Sequence, residues 1–122
     1  MNTIEFDTKI IQTAEIISNT NKKILKSSHL SALQREDFSA ISRAIYKFID
    51  EAQKSKHIII APDEIEAKRD VRHNLRNHLN IVVGFSSLII KELPDNLLFN
   101  MASIHQICAL GKTLIERVDS IQ

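Results

Sequence analysis

Only two prolines and two glycines interrupt the 122 residues. In a helix interior these residues cost about 3 and about 1 kcal/mol relative to alanine. A chain with so few of them has little means of stopping a helix once one begins. The size fits a single domain that buries about two-thirds of its unfolded surface. Trp is absent and aromatic residues make up only 5%, so Ile and Leu must fill the core.

Apolar periodicity predicts four helices. The first runs over about residues 8–26, with Ile10, Ala14, Ile17 and Ile24 on one face. The second covers about residues 31–54. Ser31 and Gln34 have the spacing of a capping box, and Phe38, Ile41, Ile45 and Phe48 form an apolar stripe. A break follows at Ser55–Lys56–His57–Ile58–Ile59–Ile60–Ala61–Pro62. Its three β-branched isoleucines favour extended backbone, and Pro62 pushes Ala61 away from helical geometry. The third helix is expected from Asp63, with Glu66 completing a second capping box, to about Leu93, where Pro94 stops it. The turn Pro94–Asp95–Asn96 is short, so the fourth helix must return antiparallel over about residues 96–121. Leu97, Met101, Ile104, Cys108, Gly111, Ile115 and Val118 give it a heptad-like stripe.

The expected fold is therefore all-α, with antiparallel helical hairpins forming a four-helix bundle. Residues 1–56 make an N-terminal hairpin, residues 57–62 a connector, and residues 63–122 a second hairpin, packed as one compact unit.

Composition also narrows function. The formal net charge of +1 gives no global electrostatic support for nucleic-acid binding. The single Cys108 excludes an internal disulfide and suits a reducing compartment. The apolar run near Ile81–Ile90 is broken by Gly84, Ser86 and Ser87 and is shorter than the roughly 20 residues needed to span a bilayer. No basic leader precedes an apolar stretch at the N-terminus. The expectation is a cytoplasmic protein without membrane insertion.

The third helix carries the chemistry, in the run Arg72–His73–Asn74–Leu75–Arg76–Asn77–His78–Leu79–Asn80. On a helical wheel Val71, Leu75, Val82, Ile89 and Leu93 oppose His73, while Arg76, Asn77, Asn80, Gly84 and Lys91 share its side. His73 should thus face water or a partner. A neutral imidazole nitrogen is a good nucleophile. Arg76 and Lys91 can offset phosphate charge. Asn77, one turn on, can donate to a phosphoryl oxygen or place a water. Gly84 leaves room for a close approach. His78, at the edge of the apolar face, reads as a half-buried packing residue, and Cys108 as a small core residue. The histidines show no metal-ligand spacing, and Ser86 and Ser87 lack a relay partner.

The order of residues in this segment resembles the dimerisation and histidine phosphotransfer (HisKA, or DHp) domain of sensor histidine kinases. His73 matches the phosphoacceptor that opens the family pattern. Leu75, Arg76, Asn77, Leu79 and Asn80 match the residues that follow, and Val82–Val83–Gly84–Phe85–Ser86 is similar to the usual continuation. The resemblance covers about residues 63–122. It implies a two-fold bundle made from two such hairpins. The N-terminal hairpin would then either extend a homodimer, the favoured arrangement, or replace the second subunit in a monomeric pseudo-dimer.

Two positions depart from the pattern. Asn74 stands where the family has an acid that serves as base in autophosphorylation, and an amide cannot accept a proton. His78 stands where the family has Pro, so this helix should be straighter. The residues hold no Gly-rich nucleotide lid and no acidic nucleotide-binding motif. The resemblance thus implies an incomplete kinase, at most an intermediate in phosphoryl transfer.

Two functions are compatible with these residues. In the first, His73, assisted by Arg76 and Asn77, accepts a phosphoryl group from a receiver-domain aspartate and passes it on. The chain itself would need no cofactor, and Mg²⁺ would be held by the partner receiver. In the second, the hairpin is a non-catalytic adaptor or dimerisation module that binds a response regulator or a kinase.

Overall fold

In the computed structural model the residues described are 6–27, 29–61 and 63–121, with side chains from residue 9 onward. Pro62, invoked above, lies outside them. Every regular element among these residues is helical. A π-helical segment, Phe6–Ile11, leads into α1 (Gln12–Leu25). Then follow α2 (Ala32–Lys54), the short α3 (Lys56–Ile60), α4 (Ile65–Glu92), a 3₁₀ segment (Asp95–Asn100) and α5 (Met101–Asp119).

The long helices pack in a closed ring: α1 on α2, α2 on α4, α4 on α5, and α5 back on α1. Chain direction alternates at the sequential contacts. Asn21 of α1 meets Phe38 and Ser42 of α2, His78 of α4 meets Glu51 of α2, and Arg76 of α4 meets Asp119 of α5. Each long helix has two neighbours, so its apolar stripe must be wider than a coiled-coil seam. This explains Ile107 and Leu114 of α5, which are fully buried although they fall outside the stripe expected for that helix. Met101, expected in the stripe, is the first residue of α5 and is 45% exposed.

The core is mainly aliphatic, as the composition requires. Ile10, Ile17, Ile24, Ile41, Ile45, Leu75, Leu79 and Ile104 are fully buried, together with Phe38 and Phe48. Asn21 is the polar exception. Its Nδ2 donates to the Phe38 carbonyl at 2.8 Å and to Ser42 Oγ at 2.9 Å, while its buried Oδ1 has no partner among the described residues.

Local signals account for several boundaries. The Ser31–Gln34 capping box forms in full: Gln34 N–H donates to Ser31 Oγ at 3.2 Å, and Ser31 N–H to Gln34 Oε1 at 2.9 Å. Arg35 donates to the carbonyls of Leu25 and Ser27 at 2.9 and 2.7 Å, satisfying the open end of α1. Asn96 ties the two inter-helix turns together. Its Nδ2 donates to the His29 carbonyl and to Gln34 Oε1, and its Oδ1 accepts from Gln34 Nε2.

Four local expectations need correction. Residues Lys56–Ile60 are helical, not extended. The Ser55 carbonyl accepts from Ile58 and Ile59 N–H at 3.0 and 3.1 Å, and both side chains pack on the core; here packing outweighs β-branched preference. The chain becomes extended only at Ala61 (φ −71°, ψ 130°). The capping box at Asp63 is absent: α4 begins at Ile65, after Glu64, which makes no side-chain cap. Glu64 has φ −93° and ψ 57°, outside the extended geometry a capping side chain needs to reach back. The fourth helix does not start as an α-helix at Asn96. A 3₁₀ turn, with Leu97 N–H donating to the Pro94 carbonyl at 2.9 Å, first turns Leu97 into the core. The first helix begins as a π-helix, and Thr13 Oγ1 donates to the Lys9 carbonyl there at 2.6 Å.

No helix among the described residues is long and apolar enough to cross a membrane.

Candidate functional site: the outward face of α4

Between Ile65 and Glu92, α4 runs without a break. The chain has His78, not proline, at the position where proline would remove a hydrogen bond and bend the helix. Val71, Leu75, Leu79, Val82, Ser86 and Ile89 form its buried face, with Ser86 Oγ satisfied by the Val82 carbonyl at 2.7 Å. Leu93, placed with them on the wheel, follows the helix end and is half-buried.

The side opposite this buried face carries the segment singled out in the sequence. His73, Asn74, Arg76, Asn77, Asn80, Gly84 and Lys91 are all exposed. Among the described residues the His73 imidazole and the Asn77 amide make no side-chain hydrogen bond, so both remain open to a ligand. Arg76 differs. Its Nη1 donates to Oδ1 and Oδ2 of Asp119, both at 2.8 Å. One turn earlier, Arg72 Nη1 donates to the Ile121 carbonyl at 2.7 Å. His73, Arg76 and Asn77 thus share one exposed stretch of helix, with the Arg76 guanidinium turned toward the end of α5.

Asp119 was not picked out in the sequence. It sits 43 residues from Arg76, beyond the reach of periodicity. The signal that could have found it is hairpin register. With the turn at Pro94–Asn96, the same antiparallel pairing sets Ser87 beside Cys108, Val83 beside Gly111 and Arg76 beside Asp119.

His78 occupies the interface between α4 and α2. Its ring is half-buried, as expected, and its Nε2 lies 3.1 Å from Glu51 Oε1. The alignment is too poor for a hydrogen bond, and Nε2 is otherwise without a partner among the described residues. The contact is one of proximity, and it joins the His73 helix to the N-terminal hairpin.

Beyond Asn77 the outward face turns apolar. Ile81 is 42% and Leu88 52% exposed, and with Asn80, Gly84 and Phe85 they line a shallow depression. Gly84 is open: a Cβ built there meets nothing within 4 Å. His73 thus stands at one end of a partly apolar strip of helix. Other depressions offer less chemistry. The groove between α1 and α2, lined by Glu15, Ser18, Lys22, Tyr46 and Asp50 among others, contains no nucleophilic His or Cys. His105, which the sequence left unplaced, is exposed and lines a shallow groove with Ser87, Cys108 and Lys112. Cys108 itself is 6% exposed, with Sγ 3.3 Å from Ser87 Oγ. Among the described residues no cluster of three or more His, Cys, Asp or Glu side chains could hold a metal ion.

Compared with protein-family models, curated proteins and solved structures, the chain matches none.

Proposed function

We propose that this chain is a histidine phosphotransfer protein of two-component signalling, with His73 as phosphoacceptor. The observation that carries the reading is the exposed, unengaged His73, set in a run of kinase-like residues at the head of the open strip formed by Asn80, Ile81, Gly84 and Leu88. In the transfer step, the lone pair of the unprotonated ring nitrogen forms an N–P bond. The P–O bond to the donor aspartate breaks, and its electrons leave on the carboxylate. The second ring nitrogen keeps its hydrogen. Asn77 donates to a phosphoryl oxygen, Arg76 supplies positive charge, and the receiver brings Mg²⁺ and its own catalytic side chains. In this direction no base is needed at position 74, so Asn74 is no obstacle. A cytoplasmic setting follows from the same reading.

The finer fold assignment belongs here as well. We read the helix ring as a dimerisation-domain-like four-helix bundle completed within one chain. In support, α1 and α2 already cover the apolar faces of α4 and α5 that a second copy would otherwise bury. This favours the pseudo-dimer over the homodimer.

The test uses wild-type and His73→Ala protein, a small phosphoramidate donor and intact-mass measurement. The expected result is one acid-labile phosphoryl group on wild type and none on the variant. A receiver domain carrying phospho-aspartate should then lose its phosphate to wild type only. Asn74 favours a second reading, a non-catalytic adaptor for a receiver or kinase. That reading expects no adduct on folded protein and equal partner binding by wild type and His73→Ala.

A further inference from the structure

His73 and Arg76 are three residues apart on α4, which makes their side chains neighbours on the helix surface. Arg76 is nevertheless held by another helix. Asp119, the last residue of α5, takes the guanidinium through both carboxylate oxygens at 2.8 Å. Arg72 fastens the following residues through the Ile121 carbonyl. The end of α5 is therefore tied to the phosphoacceptor helix by the two arginines that flank His73.

We propose that the Arg76–Asp119 pair is a latch opened by phosphorylation of His73: Arg76 leaves Asp119 for the phosphoryl oxygens. The latch rests on the acceptor role assigned to His73 above.

The exchange is favoured by both sides of the balance. The resting pair is well solvated, with the Arg76 and Asp119 side chains 50% and 44% exposed. Exposed ion pairs of this kind contribute little net free energy and are screened by salt. Asp119 also engages a single guanidinium nitrogen, Nη1. A phosphoryl group brings a charge of about −1.5 to −2 and three acceptor oxygens. The planar guanidinium suits such a group, with two parallel N–H donors. Placed one helical turn away, it outcompetes one carboxylate.

The change stays local. Ile121 is 4% exposed and remains held by Arg72, and the Ser120 hydroxyl donates to the Arg117 carbonyl at 2.6 Å, so the last turn of α5 is anchored without Asp119. What changes is the charge pattern beside the site. In the resting protein Arg76 and Asp119 neutralise each other. In the phosphorylated protein Arg76 covers the phosphoryl group and an unpaired carboxylate stands beside it. A docking partner would meet two distinct surfaces on one rigid helix pair. Asp119 is in this sense a positioning residue for Arg76.

The experiment is a double-mutant cycle on the intact chain: wild type, Asp119→Asn, Arg76→Ala and the double variant, each checked for the same helical content and melting behaviour. Phosphoryl uptake from phosphoramidate and subsequent hydrolysis are followed by intact mass. Freeing Arg76 with Asp119→Asn should raise the uptake rate and lengthen the adduct's half-life by about two- to fivefold, the size set by breaking an exposed pair. Arg76→Ala should fall below wild type, and adding Asp119→Asn to it should change nothing. Equal behaviour of wild type and Asp119→Asn overturns the latch. So does a gain that persists without Arg76, since Asp119 would then act only by repelling the anionic donor. Absence of uptake in all four folded proteins removes the acceptor role of His73, and the latch with it.

Discussion

Gly84 and Gly111 lie on the two arms of one helical hairpin, and their surroundings are opposite. A Cβ on Gly111 would sit 2.8 Å from Val83 Cγ2 and 3.5 Å from Val82 Cγ1, so this glycine is what lets α5 approach α4. A Cβ on Gly84 would meet nothing within 4 Å. Internal packing therefore explains Gly111 and leaves Gly84 unexplained, although a glycine in a helix interior costs about 1 kcal/mol relative to alanine. The same division runs along the whole of α4. Its inner face packs into this chain's own core, whereas the residues on its outer face, from His73 to Leu88, are exposed.

The largest effect that separates the two faces is on stability. Leu75→Ala and Leu79→Ala should each cost about 2–5 kcal/mol, as expected for fully buried leucines. Leu88→Ala, on the outer face and 52% exposed, should stay within about 0.5 kcal/mol. Urea unfolding of the three variants checks this. A Leu88 variant as damaged as the other two would show that the strip is covered by this chain after all.

The glycines come next. Gly111→Ala should destabilise by about 1–3 kcal/mol, because Val83 is β-branched, has little rotamer freedom in a helix and cannot easily move aside. Gly84→Ala should be neutral or stabilising by up to about 1 kcal/mol, and should weaken docking of a receiver at the same time. Thermal melts and a binding titration test both halves. Unchanged docking would mean that the openness at Gly84 has no role in recognition.

How far these faces could be read from sequence follows the range of each signal. Stripes such as Phe38–Ile41–Ile45–Phe48 and Ile10–Ala14–Ile17–Ile24 are local and periodic, and all eight residues are buried. The Ser31–Gln34 box is equally local and forms as read. Ile107 and Leu114 lie outside a single stripe yet are buried, because α5 touches two neighbours. The isoleucines after Ser55 misled because β-branched preference is weak beside core packing, which depends on where α2 and α4 lie. At the candidate site the wheel placed His73, Arg76 and Asn77 on an exposed face from helical geometry alone. The Asp119 contact needed hairpin register, and the His78–Glu51 contact needed the packing of one hairpin on the other, which no local pattern encodes.

A smaller effect concerns polarity on the inner face. Ser86 is fully buried, yet its hydroxyl only returns to its own helix, to the carbonyls of Val82 and Val83 at 2.7 and 3.2 Å. Those carbonyls have their helical partners already, so Ser86→Ala strands no buried donor or acceptor and improves helix propensity. The expected change is within about 0.5 kcal/mol. A loss well beyond 1 kcal/mol in urea unfolding would reveal a second role for this hydroxyl in the α4 packing.

The smallest effect on folding is expected where the effect on chemistry is greatest. His73 is exposed and, among the described residues, makes no side-chain hydrogen bond. Its imidazole contributes to no core contact, and alanine is the better helix former. His73→Ala should therefore leave the unfolding free energy unchanged or slightly raised, by at most about 0.5 kcal/mol, while removing all phosphoryl uptake. His78→Ala supplies the contrast from five residues along the same helix. Its half-buried ring packs between α4 and α2 beside Glu51, so its loss should cost about 1 kcal/mol and leave uptake at His73 intact. Chemical denaturation and the phosphoramidate mass assay on the two variants give a crossed pattern if the outer face is functional and the inner face structural. If the patterns coincide, so that each histidine matters equally to folding and to uptake, the division of α4 into two faces fails.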